Sequence, residues 1–380
     1  MSTVMDAPIP SPSTPLPKGE GSSIARAPER LRGQADGWRM AVLAGLVLAL
    51  VGAFLLNLAL GSVRIPLSDV AAVLVGGEAS KASWAYIILE FRLPKALTAV
   101  LAGAALAVSG LQMQTLFRNP LADPCILGIN AGASLGVALV VLATGAATGF
   151  LSNIGLLGDL SLIAAAIAGA GLVTGLVIVA ARWLRHAMTL LILGLMLGYA
   201  TGAVVSILIY FSAPEQIQAY VSWTFGSFGG VTGRQLALLA PVICGGLLLA
   251  GLLTKPLNAL LLGEAYARSM GANVWRVRFW LIVGTSVLAG AVTAFCGPIA
   301  FLGVAIPHLC RALLHTSDHR MLVPATMLMG GLAALLADLA AGMPGSQTVL
   351  PLNAVTALLG APVVVWIVLR RDGPRSEFAT

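Results

Sequence analysis

Ten stretches of this chain are apolar for long enough to cross a lipid bilayer, and no other feature constrains its fold so tightly. They lie near 40–60, 95–116, 125–146, 160–181, 189–212, 235–254, 277–296, 298–314, 321–341 and 351–369. A helix needs roughly 20 residues to span the hydrocarbon core. In lipid an unpaired backbone group costs several kcal/mol, so only helices or closed barrels cross it. The runs are continuous, without the alternation of a barrel strand. Composition agrees: only 10% of residues are charged, against about 25% in a soluble domain. The expected fold class is all-α, a polytopic membrane protein of about ten transmembrane helices. The eighth run is the shortest and contains Pro307.

Residues 1–37 are rich in Pro and Ser and almost free of large apolar side chains. They are expected to form a disordered tail. The apolar run that follows is too long for a secretory signal and has no evident cleavage site, so it is read as a retained span. This gives a tail at 1–37, one transmembrane unit at 38–371 with a polar loop at about 255–278, and a short tail at 372–380. Lys and Arg set the orientation. With the N-terminus in the cytoplasm, seventeen of the 22 basic residues fall inside. Arg64, Lys81, Arg92, Lys95 and Arg234 fall outside. Both tails are then cytoplasmic. The net charge of +7 is an orientation signal and not a nucleic-acid signal.

Glycines at four-residue spacing (Gly128/Gly132, Gly132/Gly136, Gly194/Gly198) would let helices approach closely. Val100–Ala104 followed by Gly110 is echoed by Val287–Ala291 followed by Gly297, as an inverted repeat would give. Chance matching in Gly/Ala-rich sequence remains open for both patterns. Cys125, Cys244, Cys296 and Cys310 have neither metal nor redox spacing.

Asp338 is the one acid well inside a span, and no basic residue lies close to it in sequence. It is read as a packing or protonated group. A secondary carrier would need more intramembrane ionisable groups than this. His315 and His319 have the i, i+4 spacing of a ligand pair, but Thr316-Ser317-Asp318 between them reads as a polar loop. No nucleophile elbow, His-Glu-x-x-His or P-loop is present, so an enzyme is not expected and no cofactor is implied. Any ATP would have to act through another subunit.

Two inner loops stand out. Phe117–Pro124 breaks the chain sharply with two prolines. The loop at 255–278 is amphipathic, bracketed by Gly263 and Gly271, and long enough for two short helices. It has the size to dock on a cytoplasmic partner, and a helix lying on lipid headgroups is the alternative.

The chain resembles the FecCD family, the permease subunits of type II ABC importers for ferric siderophores, haem and cobalamin. The resemblance covers nearly everything after the tail. It rests on Arg92-Leu93-Pro94-Lys95, Gly103–Ala107 with Ser109-Gly110, Gln114, Asn119–Pro124 and Leu127-Gly128. Further on it rests on Leu262-Gly263-Glu264, Gly297–Phe301 with Gly303, Pro307-His308, Arg311, Asp318–Arg320, Ala337-Asp338, Leu350-Pro351, Thr356 and Gly360–Pro362.

The resemblance implies ten spans, a second permease copy forming a homodimer, an ATPase dimer below and a periplasmic substrate-binding protein above, all at a bacterial inner membrane. Arg92 and Lys95 match positions that dock the binding protein. Asn119 and Leu121 match an inner gate. Gly263, Glu264, Ala267, Arg268 and Gly271 match the segment that couples to the ATPase. An iron chelate is the expected cargo on family frequency, with cobalamin second and a self-sufficient carrier third. Three departures bear on docking. Lys95 stands where Arg is usual, Gly342 where Arg is common, and Val349 where Glu is frequent. Arg64 or Arg234 could then share the docking role.

Overall fold

A computed structural model of the chain describes residues 29–142, 159–184, 187–343 and 349–371. Residues 1–28, most of the expected tail, lie outside the described residues, as do 372–380. Residues up to Ala41 and those from Val42 onward form two compact units. The first shows the opening turns of α1 (Glu29–Ala59). Helix thus begins inside the segment expected to be disordered. Pro28 closes the Pro-rich stretch, and Glu29, Arg30, Leu31, Arg32, Gln34 and Ala35 are mostly good helix formers. All that follows concerns the second unit.

After α1 come α2 (Leu67–Leu74) and α3 (Ala82–Tyr86), a π-helical turn (Ile87–Arg92), and α4 (Leu93–Phe117). A 3₁₀ turn (Pro124–Leu127) leads to α5 (Ile129–Leu142). Then follow α6 (Asp159–Ala181), α7 (Ala187–Tyr210), α8 (Pro214–Thr224) and α9 (Gly233–Leu252). The chain ends with α10 (Thr254–Leu261), α11 (Glu264–Ser269), α12 (Val274–Cys296), α13 (Leu302–Leu314), α14 (His319–Ala341) and α15 (Leu352–Arg371). No strand occurs among the described residues. Seven helical stretches are long and apolar enough to span, and α5, α13 and α15 are shorter apolar helices. These match the ten runs in the sequence.

Boundaries follow local chemistry. Pro94 has no N–H for the carbonyl four residues back, and the turn just before it widens to π geometry. The helical run therefore starts at Ala82, well before the expected second span. Arg118 stops α4 in the left-handed region (φ 49°), two residues before Pro120. Thr232 and Gln235 cap α9 reciprocally.

α4 is the core. In the span containing it, 83% of the most apolar window is buried, against 11% for α7. A helix buried on all sides is apolar on all sides, and from Ala102 to Phe117 every residue of α4 is buried. It packs on α9, α12, α13 and α14. Backbones meet at glycines. A Cβ on Gly103 would lie 2.2 Å from the Gly330 carbonyl, and one on Gly110 would lie 1.8 Å from that of Gly303. Among the spaced glycines, Gly132 and Gly136 pack in the same way against Gly169 and Ala165, and Gly194 against Ile126 and Leu127. Gly198 does not, since its nearest neighbour would be 4.0 Å away. The internal echo is repeated in contacts only in part: Gly290 has ordinary spacing, whereas Gly297, which ends α12 at φ 75°, meets backbone closely, since a Cβ there would lie 2.6 Å from Trp223 O.

Candidate functional site

The positive-inside bias names the two ends of the bundle. The end where α4 starts is called outer, and the end where it stops is called inner. Each has a polar cavity.

The outer cavity is about 820 Å³, and Asn57, Arg92, Lys95, Asp338, Gly342 and Val349 are among the residues around it. Arg92 is buried. Its guanidinium donates to the carbonyls of Leu58 (2.7 Å), Ala59 (3.0 Å) and Val63. It therefore caps the C-terminal end of α1, where helix carbonyls lack intrahelical donors. Lys95 is more accessible and forms an ion pair with Asp338 at 3.0 Å. The acid that had no basic neighbour in sequence has one in space, on the helix packed beside it. The two departures, Gly342 and Val349, face the same cavity. Arg64 and Arg234 are exposed.

The inner end is knitted by side chains. Pro307, inside α13, cannot donate to the carbonyl of Gly303, four residues back. Gln114 of α4 supplies the missing donor: its Nε2 reaches Gly303 O at 3.3 Å and Val304 O at 3.2 Å. This explains how α13 runs on through Pro307. Arg311 Nη1 donates to Gln114 Oε1 at 2.7 Å. Asn119 Oδ1 accepts from the Leu121 N–H at 3.0 Å, forming an Asx turn. His308 Nε2 lies 2.7 Å from Pro120 O, so α13 holds the loop carrying Asn119 and Leu121. Leu121 itself is exposed.

His319 is buried at the start of α14. Its Nε2 is 2.8 Å from Thr115 Oγ1, and its Nδ1 is 2.7 Å from Asn258 Oδ1. Both ring nitrogens are thus engaged. His315 is an exposed residue in the left-handed region that ends α13. The i, i+4 pair therefore straddles a loop instead of sharing a helix face. Among the described residues no cluster of three metal-ligating side chains occurs. Asp318 caps α14 and also accepts from Asn258 Nδ2 at 2.6 Å. Burial pushes its carboxyl up, but the Arg320 N–H and the Asn258 amide together bring it below its usual range.

The inner loop forms two short helices, α10 and α11. Gly263 separates them at φ 117°, and Gly271 follows at φ 81°. Both values favour glycine. Glu264 faces its own protein, 2.5 Å from Arg278 of α12, with Arg268 at 3.7 Å. Ala267 is buried against the body, whereas Leu262, Tyr266, Arg268 and Met270 point outward. Asn258 ties α10 to α14, and Arg118 Nη2 ties it to the end of α4 through Leu260 O at 3.2 Å. Hydrogen bonds thus run from this helical pair to the Asn119–Leu121 loop. Sequence reasoning gave no role to Asn258 or Arg278. Their only signal was being polar residues of the loop at about 255–278. Gln114 was singled out only as a motif member, and His308 and Arg311 as motif members and as part of a polar cluster at the inner end of the eighth apolar run.

The FecCD transport family model matches residues 46–370. The vitamin B12 import system permease protein BtuC of Klebsiella pneumoniae is 41% identical over 335 residues, covering 87% of this chain and 93% of that protein. Its counterpart in Salmonella typhimurium is 40% identical over 286 residues, covering 74% and 83%. A solved structure described as an inward-facing conformation of a metal-chelate type ABC transporter superposes with a TM-score of 0.75. It is 29% identical and covers 87% of this chain and 99% of its own.

Proposed function

Because the chain belongs to the FecCD transport family and is the permease of an ABC importer, we propose that it carries cobalamin across a bacterial inner membrane. The similarity to vitamin B12 permeases over 87% of its length carries this reading. The iron chelate expected on family frequency gives way to the corrinoid that was the alternative.

In this reading two copies form one pathway, an ATPase dimer binds below and a binding protein docks above. Arg92 and Lys95 keep separate parts in docking. Lys95 meets the partner, while Arg92 holds the end of α1 in place beneath it. Arg64 and Arg234 add exposed positive charge at the same end. On the inner side, Leu262, Tyr266, Arg268 and Met270 offer the surface for the ATPase. Gly263 and Gly271 set the turns, Ala267 seats the segment, and Glu264 anchors it to α12. A push on α10 would reach Asn119 and Leu121 through Asn258, His319 and Thr115 on one route and through Arg118 on the other. ATP and the binding protein each favour one arrangement of the gates, so transport is a shift of populations. A self-sufficient carrier is disfavoured because Asp338 is already paired with Lys95.

The test is uptake by cells lacking this chain. Restoring it should restore energy-dependent uptake of labelled cobalamin and leave ferric siderophore uptake unchanged. The opposite result would return the cargo to the iron chelates. Cobalamin flux through the chain alone in liposomes, without ATP, would favour the carrier.

A further inference from the structure

We propose that a groove between α6 and α12 holds one acyl chain of an anionic phospholipid, whose headgroup sits on Arg182 and Arg276. The groove is about 700 Å³, and among the described residues around it all but Thr174 and Ser286 are apolar. Ile167, Leu238 and Val287, which line it, are exposed. Along α6 it runs from Ile163 to Ile178, a rise of ~22 Å. Its mean cross-section is therefore ~30 Å², against ~80 Å² for a helix ~10 Å across. A single hydrocarbon chain fits that width, and a partner helix does not. Missing side chains keep the groove open: a Cβ on Gly171 or Gly175 would meet nothing within 4 Å.

The inner mouth suits a charged head. Ile178 also lines a small cleft with Ala181, Trp275 and Phe279, so the groove leads to the inner ends of α6 and α12. There Trp275 stacks on Phe279 with ring centroids 5.7 Å apart, and Trp280 meets Phe279 edge-on at 5.4 Å. Trp275 and Trp280 are exposed, and exposed aromatic rings at the end of a span sit at headgroup depth. Arg182 follows the last residue of α6, and Arg276 lies in the first turn of α12; both are exposed. Arg276, Trp280, Val283 and Val287 succeed one another at spacings of four and three, so one stripe of α12 leads from the mouth into the groove. Arg278 lines the cleft too, but Glu264 holds it, and it is not counted toward the head.

Two exposed cations beside an apolar groove at the cytoplasmic end favour an anionic head over a zwitterionic one. An acyl chain from that leaflet reaches about half of the ~30 Å hydrocarbon core. Gly175 and Gly171, ~10–16 Å from Arg182 along the helix, lie at that depth. The inference rests on the orientation of the chain in the membrane and not on its cargo.

The experiment is thermal unfolding of the full-length, delipidated chain in detergent, titrated with phosphatidylglycerol and with phosphatidylcholine of the same acyl chains. Both should stabilise saturably. Phosphatidylglycerol should bind roughly 10–30-fold more tightly, since each basic group near an anionic head contributes about a factor of five. Arg182→Gln with Arg276→Gln should remove that preference, and Arg182→Lys with Arg276→Lys should keep most of it. Gly171→Leu with Gly175→Leu should weaken both lipids, because blocking the burial of two methylenes is worth about 10-fold. This variant should fold, since its new side chains enter open space and Leu is a better helix former than Gly. Arg64→Gln, at the other end, should leave both affinities unchanged. Equal affinity for the two lipids in the native chain would overturn the proposal, and so would a preference that survives the loss of both arginines. Unchanged affinities in the Leu variant would overturn it as well; if that variant also lost self-association, the groove would belong to a second copy of the chain.

Discussion

At the outer end, Arg92 sits on three backbone carbonyls and Lys95 sits on Asp338, so each cation is answered by its own wall. At the inner end, Arg118 donates to Leu260 O, Arg311 to Gln114 Oε1, and Gln114 in turn to Gly303 O and Val304 O, so side chains and backbone from several helices share the contacts. The outer end is thus held by few, strong contacts. The inner end is held by many weaker ones. Few strong contacts suit a fixed platform. Many weak ones can be exchanged, which suits the gate proposed at that end.

The comparison can be broken or sharpened by substitution, beginning where the effect should be largest. Arg92→Gln removes a buried cation from three carbonyls. Hydrogen bonds to charged groups contribute ~1.5–3 kcal/mol each, so unfolding stability in detergent should fall by ~3–5 kcal/mol. An unchanged midpoint would mean that packing alone holds the outer end. Gln114→Ala strips the donor from Gly303 O and the acceptor from Arg311 together. The expected loss is ~2–3 kcal/mol. A loss as large as that of Arg92→Gln would show that the inner network does not share its load.

Lys95→Met should cost ~2 kcal/mol, because it leaves the Asp338 carboxylate buried and unpaired. Asp338→Asn should cost less, about 1 kcal/mol or below, since Lys95 can turn its ammonium into the outer cavity. Equal costs would argue against this asymmetry. His315→Ala should change neither stability nor uptake, because the ring is exposed and lies outside the network. His319→Ala, which severs Thr115 from Asn258, is the control that should be felt.

Much of this molecule was legible in the sequence. Ten apolar runs became ten helices, because in lipid the backbone has to satisfy itself within each segment. Breaks fell where prolines and glycines stand, as at Pro120, Gly263 and Gly271. The two short helices of the inner loop were also foreseen. The short helix α8 was missed, since Pro214–Thr224 is brief and of mixed polarity. Glycine spacing was a partial guide: it found Gly132, Gly136 and Gly194 but also Gly198, which packs against little. Spacing marks where a close approach is possible, and only the neighbouring helix decides whether it happens.

The site divides along the same line. Motif resemblance picked out Arg92, Lys95, Gln114, His308 and Arg311, but not their partners. That Arg92 caps α1, that Lys95 answers Asp338, and that Gln114 repairs the gap left by Pro307 are contacts between residues far apart in the chain. By itself the sequence determined the solvent of this protein, the number of its long apolar helices, the expected direction in which they run and many of the places where they stop. Those properties depend on each residue and its near neighbours. Only the tertiary structure decided which charged and polar side chains meet which partners, because that depends on which helices the packing of α4 brings together.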